Sequence, residues 1–147
     1  MIYTEMTIKA MKIAYEAHHG QEDKGGVPYV FHPFHLAEQM DNETAVIAAL
    51  LHDVIEETDI TTKKLRKLGF SEEIVEIVEL LTHEKGIPYY EYIQNLKSNP
   101  IAKKIKIADL QHNSNASRYS EQYKKLPAKL EKYLKALEML HDQDWSE

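Results

Sequence analysis

The string Leu50-Leu51-His52-Asp53-Val54-Ile55-Glu56-Glu57 closes an otherwise apolar stretch with four ionisable side chains. Burying such groups without partners costs on the order of a few kcal/mol each, so they need a cation, one another or water. On a helix His52 and Glu56 share a face at i, i+4, and Asp53 has Glu56 at i+3 and Glu57 at i+4. A metal held by His52 and Asp53 would therefore have two further carboxylates one turn away. Ligands of this kind fix a cation that acidifies bound water, while neighbouring carboxylates take or return a proton. The alternative is a helix end that opens to water, where His and Glu are common.

Two more positions fit the same chemistry. Asp109 sits between Ala108 and Leu110, poorly placed for simple solvation unless it pairs on the surface with Lys103 or Lys106. His32 precedes Pro33, whose ring pins the backbone and would hold a ligand rigid; a plain N-cap imidazole is the other reading. Two histidines and two carboxylates form a donor set suited to Mn²⁺, Fe²⁺ or Zn²⁺.

These positions must be brought together by helices. Thr4 caps a first helix with an apolar stripe at Met6, Ile8, Met11, Ile13, Ala14 and Ala17, and Gly20 ends it. Residues 20–31 read as a loop. His32 takes the cap position before a short helix from Pro33 to about Met40. Asp41 or Asn42 caps a continuous helix, ETAVIAALLHDVIEE, apolar nearly all round and so central to the domain. Thr61 or Thr62 caps a short helix closed by Gly69, and Ser71 caps EEIVEIVELLTH with acids in its first turn. Pro88 and Pro100 lie near two further starts, and Pro127 opens a last amphipathic helix through about Leu140. The expected fold is all-α: one domain over 1–147, a bundle of roughly seven or eight helices.

Composition narrows the function. Among 147 residues there is no cysteine, which excludes disulfides, thiolate metal sites and cysteine nucleophiles. A formal charge of -6 argues against extended nucleic-acid contact. It leaves room for a small anionic substrate, because a bound cation reverses the local field. No run is long enough to span a bilayer, and the N-terminus lacks an apolar leader core. A soluble, cytoplasmic protein is expected, with room for a homodimer.

The strings AHHGQEDKGGVPYVFHPFHLAEQM, TAVIAALLHDVIEETDIT and KIADLQHNSNASR resemble the HD hydrolase domain of the RelA/SpoT family, and especially its small single-domain alarmone hydrolases. The resemblance covers nearly the whole chain, with three separated motifs in the same order and spacing. It implies a Mn²⁺ site at His32, His52, Asp53 and Asp109, a catalytic acidic pair at Glu56 and Glu57, a sugar contact at Asn113 and a phosphate contact at Lys24. The reaction implied is removal of the 3′-pyrophosphate from (p)ppGpp by metal-activated water. Another phosphorylated nucleotide such as NADPH, or a nucleotide-binding regulator without catalysis, is the alternative.

Two departures from the family pattern bear on the substrate. Asp23 stands where the family has Arg and should repel a highly phosphorylated ligand. Leu110-Gln111 replaces Arg-Leu. Of the remaining histidines, His19 and His112 are assigned to support the ligands. His18, His35, His83 and His141 read as surface or core; Lys103, Lys104 and Lys106 read as a solvated helix face, with the lining of a phosphate pocket as the alternative; Tyr89, Tyr90 and Tyr92 read as half-buried core, with packing against a base as the alternative.

Overall fold

In a computed structural model, residues 1–115 and 129–141 are described. Among them the chain forms nine helices: α1 Glu5–Ala17, α2 Phe31–Glu38, α3 Glu43–Leu51, α4 Val54–Glu57, α5 Thr62–Lys67, α6 Glu72–Leu80, α7 Tyr89–Leu96, α8 Pro100–Asn113 and α9 Leu130–His141. The expected start at Pro127 lies outside the described residues. Among the described residues the β-pairing is one isolated bridge between Glu22 and Pro28 within the 20–31 loop. None of the described helices is long and apolar enough to cross a membrane.

The caps read from the sequence are in place. Thr4, Asn42, Thr61 and Ser71 each accept a hydrogen bond from the third residue onward, at Thr7, Ala45, Lys64 and Ile74. Each bond satisfies an amide that the helix itself leaves unpaired. Asn99 does the same for α8 ahead of Pro100.

α3 is the centre of the molecule. Ala45 through Leu51 are all buried, and the helix packs against α1, α2, α6 and α8. A helix so placed can present its last residue only to other protein elements, and that residue is followed by His52 and Asp53.

Two boundaries differ from the sequence reading. α2 begins at Phe31 rather than Pro33, because Phe31 and His32 donate to the carbonyls of Pro28 and Tyr29 in a turn that winds directly into the helix. His32 is thus a residue of the helix and not its cap. The helix expected to run through Glu57 breaks at His52–Asp53, separating α3 from α4. The cause is local: the His52 imidazole Nδ1 lies 2.7 Å from the Ala49 carbonyl oxygen. It occupies the acceptor that a continuing helix would offer to the Asp53 amide, a common way for a side chain to compete with helical bonding.

Candidate metal centre

Three helices deliver the cluster. α2 carries His32, the end of α3 carries His52 and Asp53, and α8 carries Asp109. His32 and His52 are 3% and 2% exposed and Asp109 is 5% exposed. One nitrogen of each imidazole and one oxygen of Asp109 lie within 4.8 Å of one another. His32 Nε2 is 2.7 Å from Asp109 Oδ1, and His52 Nε2 is 3.7 Å from the same oxygen and 3.0 Å from Asp53 Oδ2. Three of the four residues named from the sequence thus form one buried group, His32, His52 and Asp109, and Asp53 reaches it through its contact with His52.

The tautomer of His52 is fixed by its surroundings. A carbonyl oxygen only accepts, so Nδ1 carries the hydrogen that it donates to Ala49. In the neutral ring Nε2 is then a lone pair, and in the structure this buried atom makes no hydrogen bond. An orphaned imidazole nitrogen beside two carboxylates is what a cation would satisfy, and the donor set fits a divalent first-row metal. His32 is backed in a similar way, with its Nδ1 2.6 Å from His112 Nδ1. The two rings are nearly parallel with centroids 4.9 Å apart, so His112 lies beside His32 on the side away from Asp109 Oδ1.

Electrostatics bind the cluster together. Burial opposes the charged form of His52, but Asp53 and Asp109 beside it outweigh that and hold its pKa well above the ordinary imidazole value, so a cation taken up at Nε2 would displace a proton from the ring. Burial likewise opposes ionisation of Asp53, yet His52 brings its carboxyl down to about 2. Asp109 is also held ionised against burial, chiefly by Lys106. The carboxylates are thus charged and ready to ligate.

A cleft of about 260 Å³ opens over Asp53 and Asp109. Glu56, Glu57 and Asn113 line it, together with His83, Tyr89, Tyr92, Lys106, Lys129, Lys132 and Tyr133. Burial, the largest cause, pushes the Glu56 carboxyl up from its usual value, although His83 donates its backbone N–H to Oε1. A carboxyl raised in this way is better suited to shuttle a proton. Asn113 donates its amide to Asp109 Oδ1 at 3.1 Å. Lys24 is not among the residues lining this cleft; it is exposed on the 20–31 loop.

Several assignments need correction. His19 is exposed and only edges against Tyr15. Its neighbour His18 is the buried one, packed on the Tyr29 ring at 4.9 Å with Nδ1 3.1 Å from Gln21 Oε1. Lys106 is not on a solvated face, because its side chain is 13% exposed and pairs with Asp109 at 2.8 Å. Asp23, besides the repulsion read for it, anchors its own loop, where Oδ1 accepts from the amides of Gly25 and Val27 at 2.8 and 3.0 Å.

Sequence reasoning also missed Tyr29, whose hydroxyl donates to Asp53 Oδ2. The turn residue Pro28 beside it was the available signal. Tyr29→Phe removes that donor and little else. It is expected to weaken metal binding or turnover about 10- to 100-fold, as loss of a ligand's hydrogen-bonding partner does elsewhere. Calorimetric titration with Mn²⁺ checks this, and an unchanged affinity together with an unchanged rate would dismiss Tyr29 as a support of Asp53.

An all-helical domain that gathers two imidazoles and two carboxylates from separate helices defines the class to which this chain is compared. A family model described as HD domain matches residues 10–130. The chain belongs to the HD domain family.

Among curated proteins, the human guanosine-3′,5′-bis(diphosphate) 3′-pyrophosphohydrolase MESH1 is 33% identical over 119 residues, covering 72% of this chain and 66% of that protein. The Aquifex aeolicus guanosine-3′,5′-bis(diphosphate) 3′-pyrophosphohydrolase is 38% identical over 92 residues, 59% of this chain but 13% of that protein. A Borreliella burgdorferi protein of the same name is 32% identical over 128 residues, 76% of this chain and 19% of its own length. The chain thus spans a minor part of these longer bacterial relatives. A solved structure reported under the words "A metazoan ortholog of SpoT hydrolyzes ppGpp and plays a role in starvation responses" superposes with a TM-score of 0.66 at 22% identity, over 98% of each chain. That likeness shows the all-helical fold.

Proposed function

We propose that this chain is a cytoplasmic metal-dependent phosphohydrolase, a single domain over 1–147, that removes the 3′-pyrophosphate from ppGpp. The observation that carries the reading is the buried group of His32, His52 and Asp109, with Asp53 Oδ2 3.0 Å from His52 Nε2, a buried nitrogen that makes no hydrogen bond. The relatives named as pyrophosphohydrolases support the choice of substrate.

His32, His52, Asp53 and Asp109 would hold one divalent cation, Mn²⁺ first and Fe²⁺ or Zn²⁺ as substitutes. Such a cation, when bound, lowers the pKa of water and polarises a phosphoryl oxygen. The protein does the rest. Ala49 and His112 orient the two imidazoles, and Tyr29 and Lys106 orient the two carboxylates. Glu56 and Glu57, one turn beyond Asp53, face the same cleft and serve as proton acceptor and donor. Asn113 sits at its wall to meet the ribose, whereas the phosphate contact at Lys24 rests on the family resemblance alone, since Lys24 does not line the cleft. The cleft's lysines supply the positive field that an anionic nucleotide needs in a chain of net negative charge.

A second substrate, such as NADPH, is suggested by the sequence alone, since Asp23 stands where the family has a cation, although its Oδ1 also anchors the loop. The same four ligands and the same acid–base pair would serve it.

The test is turnover of chelator-stripped protein with Mn²⁺ added back, on ppGpp and NADPH in parallel. Release of pyrophosphate from ppGpp is expected only with the cation present. Saturating Mn²⁺ is also expected to raise the thermal midpoint, because a ligand at 100 times its Kd stabilises the native state by about 2.7 kcal/mol. A rate indifferent to the chelator would remove the cation from the mechanism; turnover of NADPH alone would replace the substrate.

A further inference from the structure

The two oxygens of Asp109 do different work. Oδ1 faces the imidazoles, 2.7 Å from His32 Nε2 and 3.7 Å from His52 Nε2, and also accepts from Asn113 at 3.1 Å. Oδ2 is turned away and accepts from Lys106 Nζ at 2.8 Å. Lys106 lies one turn earlier on α8, so the helix itself sets this pairing at i, i+3. Its ammonium is held from the other side by the ring of Tyr92, 5.2 Å below. Tyr92 is in turn fixed by its hydroxyl donating to the Leu81 carbonyl at 2.7 Å. The chain from α7 through Lys106 to Asp109 is continuous and largely buried, meeting solvent at the cleft.

A carboxylate with both oxygens open can grip a cation with two bonds, and each added bond consumes a coordination position. Metal sites that do chemistry keep a position for water or substrate, whereas structural sites are closed. We propose that Lys106 is a positioning residue that restricts Asp109 to a single ligating oxygen and thereby reserves a coordination position for the nucleophile or the phosphoryl oxygen. This rests on the cation reading above. It also explains why a buried ammonium stands beside a site meant to attract another positive charge, where its own repulsion of the cation would otherwise be a plain disadvantage.

The test compares wild type, Lys106→Met and Lys106→Arg as full chains titrated with Mn²⁺. Electron paramagnetic resonance reads affinity, and water-proton relaxation reads the number of coordinated waters. The Met variant frees Oδ2 and removes a nearby positive charge, so it is expected to bind Mn²⁺ about tenfold tighter, given the strength of charge pairs near a protein surface. It should do so with one coordinated water fewer, and with kcat reduced while KM holds. The Arg variant retains a donor to Oδ2 and should behave as wild type.

Weaker Mn²⁺ binding by the Met variant, or an unchanged water count, overturns the proposal. So does a rise in KM alone, which would make Lys106 a phosphate contact. If the Met variant does not fold, a crystal structure of the wild type with Mn²⁺ decides directly: Asp109 bound through Oδ1 alone upholds the proposal, and binding through both oxygens ends it. Wild type that takes up no Mn²⁺ fails the cation reading and takes this inference with it.

Discussion

Asp53→Ala is expected to lower Mn²⁺-dependent turnover by at least about a thousandfold while the helical circular-dichroism signal is retained. Asp53 joins the cluster through His52: Oδ2 lies 3.0 Å from His52 Nε2 and accepts from Tyr29. Its loss removes one of two anionic donors and leaves the Tyr29 hydroxyl, buried by its neighbours, without an acceptor. Catalysis by a cation that activates water and polarises phosphate amounts to several kcal/mol, and each 1.4 kcal/mol or so is a factor of ten in rate. Fold retention is expected because Asp53 belongs to the break between α3 and α4 and lies outside the buried run of α3. A variant within tenfold of wild type would mean that the cation is held without Asp53. Loss of the helical signal would show instead that the pair with His52 is structural.

The largest stability effect belongs to α3. Leu50→Ala is expected to destabilise the fold by about 2–5 kcal/mol, the usual range for a truncated, well-packed leucine. Leu50 is fully buried, on the helix that α1, α2, α6 and α8 all contact. Little can collapse into the space it leaves. For a chain of this size the change is a fall of roughly 10 °C in thermal midpoint, and urea titration at constant m-value gives the free energy itself. A cost below about 1 kcal/mol would mean that α3 is not the element on which the others rest. The variant should also bind Mn²⁺ less well, since α3 carries His52.

Much of this was legible before any coordinates, for physical reasons. Helical periodicity, Ser, Thr and Asn caps and the scarcity of glycine are local signals, and α1, α3, α5 and α6 begin where their caps stand. His52 and Asp53 stood out because a buried helix that ends in His-Asp carries an unmet electrostatic need, whereas His32 and Asp109 joined them as candidates chiefly through the family resemblance. What escaped depends on contacts between elements. Lys106 looks like a surface lysine along α8, and only the packing of α7, with Tyr92, makes it a buried one. His18 and His19 are adjacent, and which of them turns inward depends on how the 20–31 loop folds back onto α1. The early start of α2 follows from a turn at Pro28 and Tyr29 that no periodicity announces. Asp23, read as a repulsive group, spends one oxygen on two loop amides.

The break after Leu51 bears on whether this chemistry can be moved elsewhere. Neighbouring residues on an uninterrupted α-helix point roughly 100° apart, since a turn takes 3.6 residues. His52 and Asp53 nonetheless bring Nε2 and Oδ2 within 3.0 Å of each other. Grafting the dipeptide onto a straight scaffold helix would therefore splay the two donors and yield no chelate. A designer would have to copy the imidazole-to-Ala49 contact as well, treating the four residues from Ala49 to Asp53's predecessor and Asp53 itself as one indivisible module.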